Sequence, residues 1–391
     1  MLLFIFLLFT QNIFAQKLDW VTELKTPDDS YSGINLSIAD GSGGVYFLTG
    51  AAYPTTLVSP SASVNLAFDE VNSNGANIVR LDASGEMVFQ VNIGVERSEN
   101  NGYFSTQGLT VDDDGNVYIG GYVASSTTIS VGDVNIPITQ NLNERKYGVI
   151  LKFSDSGSLL DYKVFNVNKD FYHRFFSMDF YDGNLYVLYA LIDSAVEVNG
   201  GGDEYLFTHH ITVYDLSWNT IKSKTFSGKS RNTGSSGNPR RQFIKLDENL
   251  NFEWFRGIQG YNTSPYATGM VILSNGDVVL NSMMYSYNGF PTNLVGNNIE
   301  DMLLPNQFQY STRQLFFTSD GVYKYQTLFE GVIEDYGFEA DVNDNINIPI
   351  GSSNLRSLNF IDQDGSNELI VKKESGASTN SFGYLKISKE G

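Results

Sequence analysis

Short hydrophobic runs separated by polar turns recur along the chain, and they fall into two kinds. In the first kind, an Asp/Asn/Gly turn separates an apolar run from a run rich in β-branched and aromatic residues, which is the signature of a β-hairpin. The second kind has the same form around an Asp/Ser/Gly turn. The first kind occupies residues 40–50, 112–121, 180–188, 273–280 and 341–350, and the second occupies residues 78–89, 149–157, 243–254, 315–321 and 384–391.

The spacing of these runs indicates a single repeat. Equivalent positions of the first kind recur after 72, 68, 93 and 68 residues, and those of the second after 72, 93, 71 and 70 residues. Each repeat therefore carries four strands, A to D, and no helical periodicity stands out. The anchor positions are Val45, Val117, Leu185, Val278 and Ile346 for the first kind, and Arg80, Lys152, Lys245, Phe316 and Lys386 for the second.

Repeated four-stranded units predict an all-β protein of the β-propeller class, in which each unit is one blade. A row of β-sandwiches is disfavoured because their units run nearer ~100 residues. We expect five blades in one domain over residues 16–391, with six as the alternative because a further hairpin lies at 211–218. A sixth blade would need A and B strands between Lys224 and Arg241, where no apolar run exists. Residues 211–241 are therefore predicted to be a mobile insertion.

The paired runs resemble the SBBP-type propeller repeat of bacterial proteins, which has the core D-x-x-G-N-x-Y-x-x-G and a later K-x-D-x-x-G turn. The second unit matches well through Asp112, Gly115, Asn116 and Tyr118. The first and third units match less closely, and the last two match weakly. The resemblance implies a propeller architecture and an exported or cell-surface protein, and it implies no particular activity.

The N-terminal segment has the pattern of an export signal. Residues 1–9 are almost wholly apolar, and Ala15 supplies the small residue of a cleavage site. Residues 1–15 are therefore predicted to be a signal peptide, because the segment is too short to cross a bilayer. The mature protein is expected to be secreted, periplasmic or attached to the cell surface, without membrane insertion.

The two ends of the mature chain are predicted to complete one blade. The last repeat stops after a C strand and its turn, so its D strand is missing. Residues 18–24 alternate apolar and polar side chains like the D strands that contain Phe89 and Trp254. We expect residues 18–24 to pair antiparallel with residues 383–387 as the outermost strand of the fifth blade. Closure of the ring would remove open sheet edges.

Composition excludes several classes of partner. The 391 residues include 25 Lys and Arg against 44 Asp and Glu, so the formal net charge is −19. Nucleic acid is not an expected partner, because binding it requires clustered cations. The chain has no cysteine, which excludes disulfides and thiolate chemistry. Residues 112–114 offer carboxylates to calcium, but so short a turn supplies too few ligands. We expect a monomer without a cofactor or a metal.

The strand order divides the connections between two faces. The A–B and C–D turns are short, whereas the D–A and B–C connections are long, and residues 128–137 and 292–299 of the latter read as hairpins. Function is expected on the long-connection face, because loops held by a rigid scaffold carry binding residues. Its aromatic residues suit a sugar or peptide, although they also suit packing between blades. The candidate ligand-binding residues are Tyr31, Tyr103, Tyr172, His173, Arg174, Tyr261, Tyr266 and Tyr336.

Three functions are compatible with these patterns. The leading hypothesis is an exported, non-catalytic propeller that binds a protein or a glycan through its long-connection face. The second is a propeller enzyme, a glycoside hydrolase or lyase acting on polysaccharide. Such a hydrolase needs two carboxylates at a defined separation, which the sequence does not define. The third is a structural module of a larger surface protein. No catalytic residue can be assigned from the sequence.

Overall fold

The computed structural model contains only β-strands as regular structure within its described residues, so the all-β prediction is confirmed. No helix in the described ranges is long and apolar enough to cross a membrane. The described residues are 23–25, 34–40, 42–50, 55–59, 61, 63–66, 75–95, 102–124, 126, 128–138, 146–165, 171–198, 202–231, 242–260, 263–286, 292–297, 302–304, 310–330, 339–340, 344, 346–352, 357–361, 368–372 and 381–387.

The chain divides into two compact units, one of residues 1–194 and 207–228 and the other of residues 195–206 and 229–391. Seventeen strands lie in the described part of the chain before residue 232. They are β1 Glu23–Lys25, β2 Ile34–Ala39, β3 Val45–Gly50, β4 Thr56–Val58, β5 Ser63–Asn65, β6 Ala76–Leu81, β7 Met87–Val95, β8 Tyr103–Val111, β9 Val117–Ala124, β10 Thr128–Val131, β11 Val134–Pro137, β12 Lys146–Phe153, β13 Leu159–Val164, β14 Phe171–Tyr181, β15 Asn184–Val198, β16 Gly202–Tyr214 and β17 Thr220–Arg231.

Thirteen further described strands follow in the second unit. They are β18 Gln242–Leu246, β19 Phe252–Gly260, β20 Thr263–Ile272, β21 Val278–Ser286, β22 Thr292–Gly296, β23 Met302–Leu304, β24 Tyr310–Phe317, β25 Tyr323–Glu330, β26 Glu339–Ala340, β27 Ile346–Ser352, β28 Ser357–Ile361, β29 Glu368–Lys372 and β30 Ser381–Ile387.

Three sheets, which consist wholly or mainly of residues of the first unit, have the A-B-C-D order that the repeat predicts. Sheet I is β2-β3-β6-β7, extended by β10 and β11, and sheet II is β8-β9-β12-β13. Sheet III is β14-β15-β16-β17. Strand β9 is buried at all eight positions, because hydrophobic side chains cover both of its faces. A smaller sheet contains β1, β4 and β5.

The second unit holds sheets IV, V and VI. Sheet IV is β18-β19-β22-β23, sheet V is β20-β21-β24-β25-β28-β29, and sheet VI is β26-β27-β30. Strands β20, β21, β24 and β25 occupy the A to D positions of sheet V. Strand β27 forms despite Pro349, which lies opposite Tyr384 of β30.

Sheet III requires a correction to the sequence interpretation. The hairpin at 211–218 is not an insertion, because β16 and β17 are the C and D strands of this sheet. Residues 220–231 form strand β17, and residues 232–241 lie outside the described residues. The spacing of the repeat predicts that the hairpin at 243–254 is part of the third repeat, but it belongs to sheet IV. The physical reason is that β15 and β16 are joined by only three residues, 199–201, so the C strand comes early.

The hairpin predicted at residues 128–137 is confirmed as β10–β11. The hairpin predicted at residues 292–299 is confirmed in part, because its first strand is β22 but the partner strand β23 lies beyond residue 299. The sequence did not indicate their partners. Strand β10 pairs with β7, β22 pairs with β19, and β28 pairs with β25. In each case, the hairpin of one sheet covers the D strand of the preceding sheet.

In the small sheet of β1, β4 and β5, a hairpin from a B–C connection likewise pairs with another strand. Strand β4 comes from the B–C connection of sheet I and pairs with β1, with Leu24 opposite Leu57. Strand β1 therefore has the position relative to β4 that β7 has relative to β10. Residues 18–22 lie outside the described residues, so their pairing with residues 383–387 stays a prediction.

Candidate functional site

The repeated aspartate of the sequence motif fixes the A–B turn. Asp112 Oδ1 accepts hydrogen bonds from the backbone N–H groups of Asp114 (3.1 Å) and Asn116 (2.8 Å). Its Oδ2 accepts a third from the side-chain amide of Asn116 (2.9 Å). Gly115 ends the turn with φ +82°, in the left-handed region where glycine is favoured. The D-x-x-G-N pattern therefore encodes a self-contained hairpin turn.

The same carboxylate also contacts a cation and a phenol of sheet II. Asp112 Oδ2 lies 3.1 Å from Tyr118 Oη and 3.4 Å from Lys152 Nζ. The Lys152 ammonium lies 5.0 Å from the centroid of the Tyr118 ring. No cluster of three or more Asp, Glu, His or Cys side chains suited to a metal is found within the described residues. Asp112 thus binds its own turn and its own sheet.

Sheet I repeats this triad with Asp40, Arg80 and Tyr46. Arg80 Nη2 lies 2.9 Å from Asp40 Oδ2, and the guanidinium lies 5.4 Å from the Tyr46 ring centroid. Burial would raise the pKa of Asp40, but hydrogen bonds, above all from Arg80, outweigh burial and hold that pKa below its ordinary value. A carboxyl group that is ionised at neutral pH cannot donate a proton as a general acid. Asp40 is therefore not a candidate general acid, and its carboxylate binds its own turn and Arg80.

At the opposite end of sheet II, the structure describes the side chain of the candidate Tyr103. The residue begins strand β8 and is half-buried. Its ring lies edge-on to Tyr122, with 5.8 Å between centroids, and Lys146 Nζ lies 5.4 Å from the Tyr122 centroid. Burial and a hydrogen bond with Tyr122 raise the pKa of Tyr103 to about 12. The phenol is neutral at physiological pH and packs against the hydrophobic cluster between sheets II and III.

Sequence reasoning missed Tyr122 and Lys146, which complete this cluster. They lie on β9 and β12, and the antiparallel register brings them close because Lys146 pairs with Ala124 and Gly148 with Tyr122. The local pattern contained no signal for this, since the two residues are 24 positions apart. Only the pairing of the B and C strands brings them together.

Candidate residues 172–174 lie in an irregular part of strand β14. Phe171 pairs with Leu191 and Phe176 pairs with Tyr189, so four residues of β14 oppose a single residue of β15. Such bulges bend a strand and re-aim its side chains, and they are common beside binding sites. The side chains of Tyr172, His173 and Arg174 lie outside the described part of the molecule.

The remaining candidates are less well defined. Tyr266 lies in the A strand β20, opposite Met283, and its side chain is outside the described part. Tyr31, Tyr261 and Tyr336 lie outside the described residues altogether.

Within the first unit, the A strands β8 and β14 lie side by side. The backbone N–H of Phe180 donates a hydrogen bond to Thr110 Oγ1 (3.1 Å), and Gly108 lies against Met178. Both contacts join residues 70 positions apart, so the two strands run in the same direction. Tyr103 and residues 172–174 therefore lie at the same end of sheets II and III, the end of the long connections.

Comparisons with known proteins return structural similarity alone. The sequence matches no protein-family model and no curated protein. A protein of unknown function from Bacteroides caccae is 12% identical with a TM-score of 0.18, over 67% of this chain and 91% of that one. An endo-arabinase from Bacteroides thetaiotaomicron is 9% identical with a TM-score of 0.25, over 91% and 99%.

A third structure, the WD40 domain of SCAP from fission yeast, is 8% identical with a TM-score of 0.21, over 95% of both chains. With TM-scores this low, the propeller prediction continues to rest on the sequence repeat and the order of strands within the sheets.

Proposed function

We propose that the chain is an exported, non-catalytic β-propeller that binds a protein or a glycan through the face of its D–A and B–C connections. The observation that carries this proposal is the construction of that face. Four B–C connections contain two-stranded hairpins, and each hairpin pairs with the edge of another strand. A surface built from paired strands is pre-organised, which lowers the ordering entropy lost on binding.

The blade number in this proposal follows from sheet IV. The strands β18 and β19 form their own sheet with β22 and β23, and they do not belong to the four-stranded sheet III. This supports six blades, the second interpretation of the sequence, over five. Sheet IV would then be a blade without its own A and B strands among the described residues.

Ring closure is part of the same proposal. Strand β1 pairs with the hairpin of sheet I as the D strands β7, β19 and β25 pair with the hairpins that follow them. This relation supports a D-strand role for the N-terminal segment. Its other edge would then pair with residues 383–387.

A glycan array probed with the mature protein, residues 16–391, tests the proposal. We expect binding to a defined set of glycans, and Tyr172→Ala and Tyr266→Ala should each weaken it by about tenfold, the loss of one aromatic contact. Tyr181→Ala is the matched control, because Tyr181 is 71% exposed at the short-turn end of β14. Equal binding by all three variants would place the site elsewhere. Release of shorter sugars from a bound polysaccharide would instead favour the enzyme.

A further inference from the structure

A cavity of about 240 Å³ opens at the short-turn end of sheet V. In sheets I and II, the Asp–cation–Tyr triads occupy the corresponding place. The A–B turns identify the equivalent residues of the three sheets. The backbone N–H groups of Asp40, Asp112 and Leu273 each donate a hydrogen bond to the carbonyl four residues later. Leu273 thus stands where the other two sheets have the aspartate.

The other two members of the triad are also replaced in sheet V. Tyr46 lies opposite Arg80 in sheet I, whereas Val279 lies opposite Phe316 in sheet V. Valine is much shorter than tyrosine, and phenylalanine brings no charge that could draw in an aspartate. Two of these replacing residues, Leu273 at the aspartate position and Phe316 at the cation position, line the cavity.

The lining combines an aromatic pair with hydrogen-bonding groups. The rings of Phe316 and Tyr325 stack with 4.2 Å between centroids and 19° between planes. Lys324 Nζ lies 2.8 Å from Asp277 Oδ2. The hydrogen bond from Lys324 lowers the pKa of Asp277, so this pair is ionised at neutral pH. Asn275 and Ser274 complete the polar part of the rim.

A second carboxylate reaches the cavity from sheet VI at a conformational cost. Asp344 has φ +62°, although the equivalent residue of sheet II is Gly115 and that of sheet V is Gly276. Its oxygens accept hydrogen bonds from the backbone N–H of Ser274 (2.7 Å) and from Ser274 Oγ (2.6 Å). Strained backbone of this kind clusters at functional sites.

We propose that this cavity binds one neutral sugar residue. The half-buried ring of Tyr325, which stacks on the buried ring of Phe316, offers an apolar surface for a sugar ring. Each carboxylate oxygen can accept more than one hydrogen bond, as sugar hydroxyls require. The volume lies below the usual range for ligand pockets of about 300–1,000 Å³, so a single ring fits better than a chain. Two aspartates against one lysine leave the lining negative, which disfavours phosphate and acidic sugars. The site is at the opposite end from the proposed binding face, so the two proposals can fail separately.

Saturation-transfer NMR with methyl glycosides of glucose, galactose, mannose and xylose tests this site on the mature protein. We expect transfer to the ring protons of at least one glycoside at millimolar concentration. Tyr325→Leu should abolish the transfer, whereas Tyr325→Phe should retain it because the ring remains. Lys324→Met should weaken binding by about tenfold, and Lys324 is 43% exposed, so this variant is expected to fold. The control is Tyr162→Leu, an exposed tyrosine on sheet II.

Thermal melts of every variant separate binding from folding. Loss of transfer in Tyr325→Leu and about tenfold weaker binding in Lys324→Met, both at unchanged melting temperature, support the proposal. It is overturned if no glycoside shows transfer, or if transfer survives both variants. A cavity that is only a packing gap would show shifted melting temperatures and no glycoside binding.

Discussion

The contact between sheets I and II and the contact between sheets II and III use the same two positions in opposite ways. The first position lies on the D strand, opposite the cationic residue of the C strand. Phe89 occupies it in sheet I and Asp161 occupies it in sheet II. The second position is the last residue of the C–D turn in the neighbouring sheet. It is Gly157 of sheet II at the first contact and Trp218 of sheet III at the second. At one contact a ring on the strand lies against a glycine, and at the other a ring on the turn lies against an aspartate.

Distances show how closely each pair fits. A Cβ added to Gly157, which has φ +87°, would lie 2.6 Å from Phe89 Cδ2. Trp218 has φ +64°, and its Nε1 donates a hydrogen bond to Asp161 Oδ2 (2.7 Å). Lys163 Nζ also donates to the Trp218 carbonyl (3.3 Å). Each pair therefore holds one large and one small side chain.

The difference follows from the sheet edges. In sheet I, β10 covers the D strand β7, whereas in sheet II no strand among the described residues pairs with the outer edge of β13. The hydrogen bond from Phe165 N to Gly148 O sets the alternation, so the N–H of Tyr162 points to the open edge. Asp161 Oδ1 accepts that N–H at 2.8 Å. The Asp161 carboxylate thus binds a backbone N–H of the open edge of β13, which would otherwise be available for pairing with another strand.

Sheets IV and V repeat the arrangement of sheets I and II. Strand β19 is covered by β22, and Trp254 of β19 lies against Gly321, whose added Cβ would be 2.7 Å from the indole. The contact between sheets IV and V therefore copies the contact between sheets I and II. A covered D strand carries the aromatic residue, and the uncovered β13 carries the aspartate.

The largest expected effect is at Gly157. Gly157→Ala should lower the free energy of unfolding by about 2–4 kcal/mol, because it adds the strain of a left-handed residue to a clash with Phe89. Gly183→Ala is the matched control, because Gly183 has φ +72° with open space around the added Cβ. It should cost only the backbone strain, about 1–2 kcal/mol. Urea unfolding of both variants gives the comparison, and equal losses would remove Phe89 from the explanation.

An intermediate effect is expected when the pair between sheets II and III is exchanged. Trp218→Gly should cost about 1–2 kcal/mol, because the loss of a half-buried ring and its hydrogen bond outweighs the relief of left-handed backbone strain at this position. Adding Asp161→Phe recreates the pairing of the contact between sheets I and II, so the double variant should recover about 1 kcal/mol or more. A double-mutant cycle from urea unfolding measures the coupling. Strict additivity of the two substitutions would contradict the exchange.

The smallest expected effect is the dependence of stability on the ionisation of Asp40. Arg80 joins Asp40 to sheet II, because its Nη1 donates to the carbonyl of Asp155 (2.7 Å). The folded-state pKa of Asp40 lies below its unfolded value of about 3.9, so its stabilisation is complete above that pH and is lost as pH falls through the folded pKa. Asp40→Asn should lower the free energy of unfolding by about 1 kcal/mol at pH 7.

The difference between Asp40→Asn and the unchanged protein should shrink as the pH is lowered from 5 to 2. Asp113→Asn serves as the control, because Asp113 is exposed in the equivalent turn of sheet II. A difference that is constant across this range would show that the ionised carboxylate is not the stabilising form.

Local patterns predicted the hairpins and the A-B-C-D order well. The turn at Asp112 was identified because its residues lie within five positions of one another, and its hydrogen bonds are all local. The candidate Tyr103 was found because an aromatic residue precedes a clear A strand. Its partners Tyr122 and Lys146 were missed because they lie on other strands. The cavity of sheet V was also missed, although Leu273, Val279 and Phe316 depart from the repeat at three equivalent positions.

The sequence by itself determined the all-β class, the turns and the repeat, because each follows from hydrogen bonds and side-chain alternation within about a dozen residues. Only the tertiary structure shows which strand each hairpin pairs with and that residues 202–231 belong to sheet III. It also shows whether the D strand or the C–D turn carries the aromatic ring at each contact between sheets. Those choices depend on groups about 55 to 75 residues apart, such as Lys163 with Trp218 and Arg80 with Asp155. A local pattern is the same whether an edge is covered or open, and only the packed sheets distinguish the two.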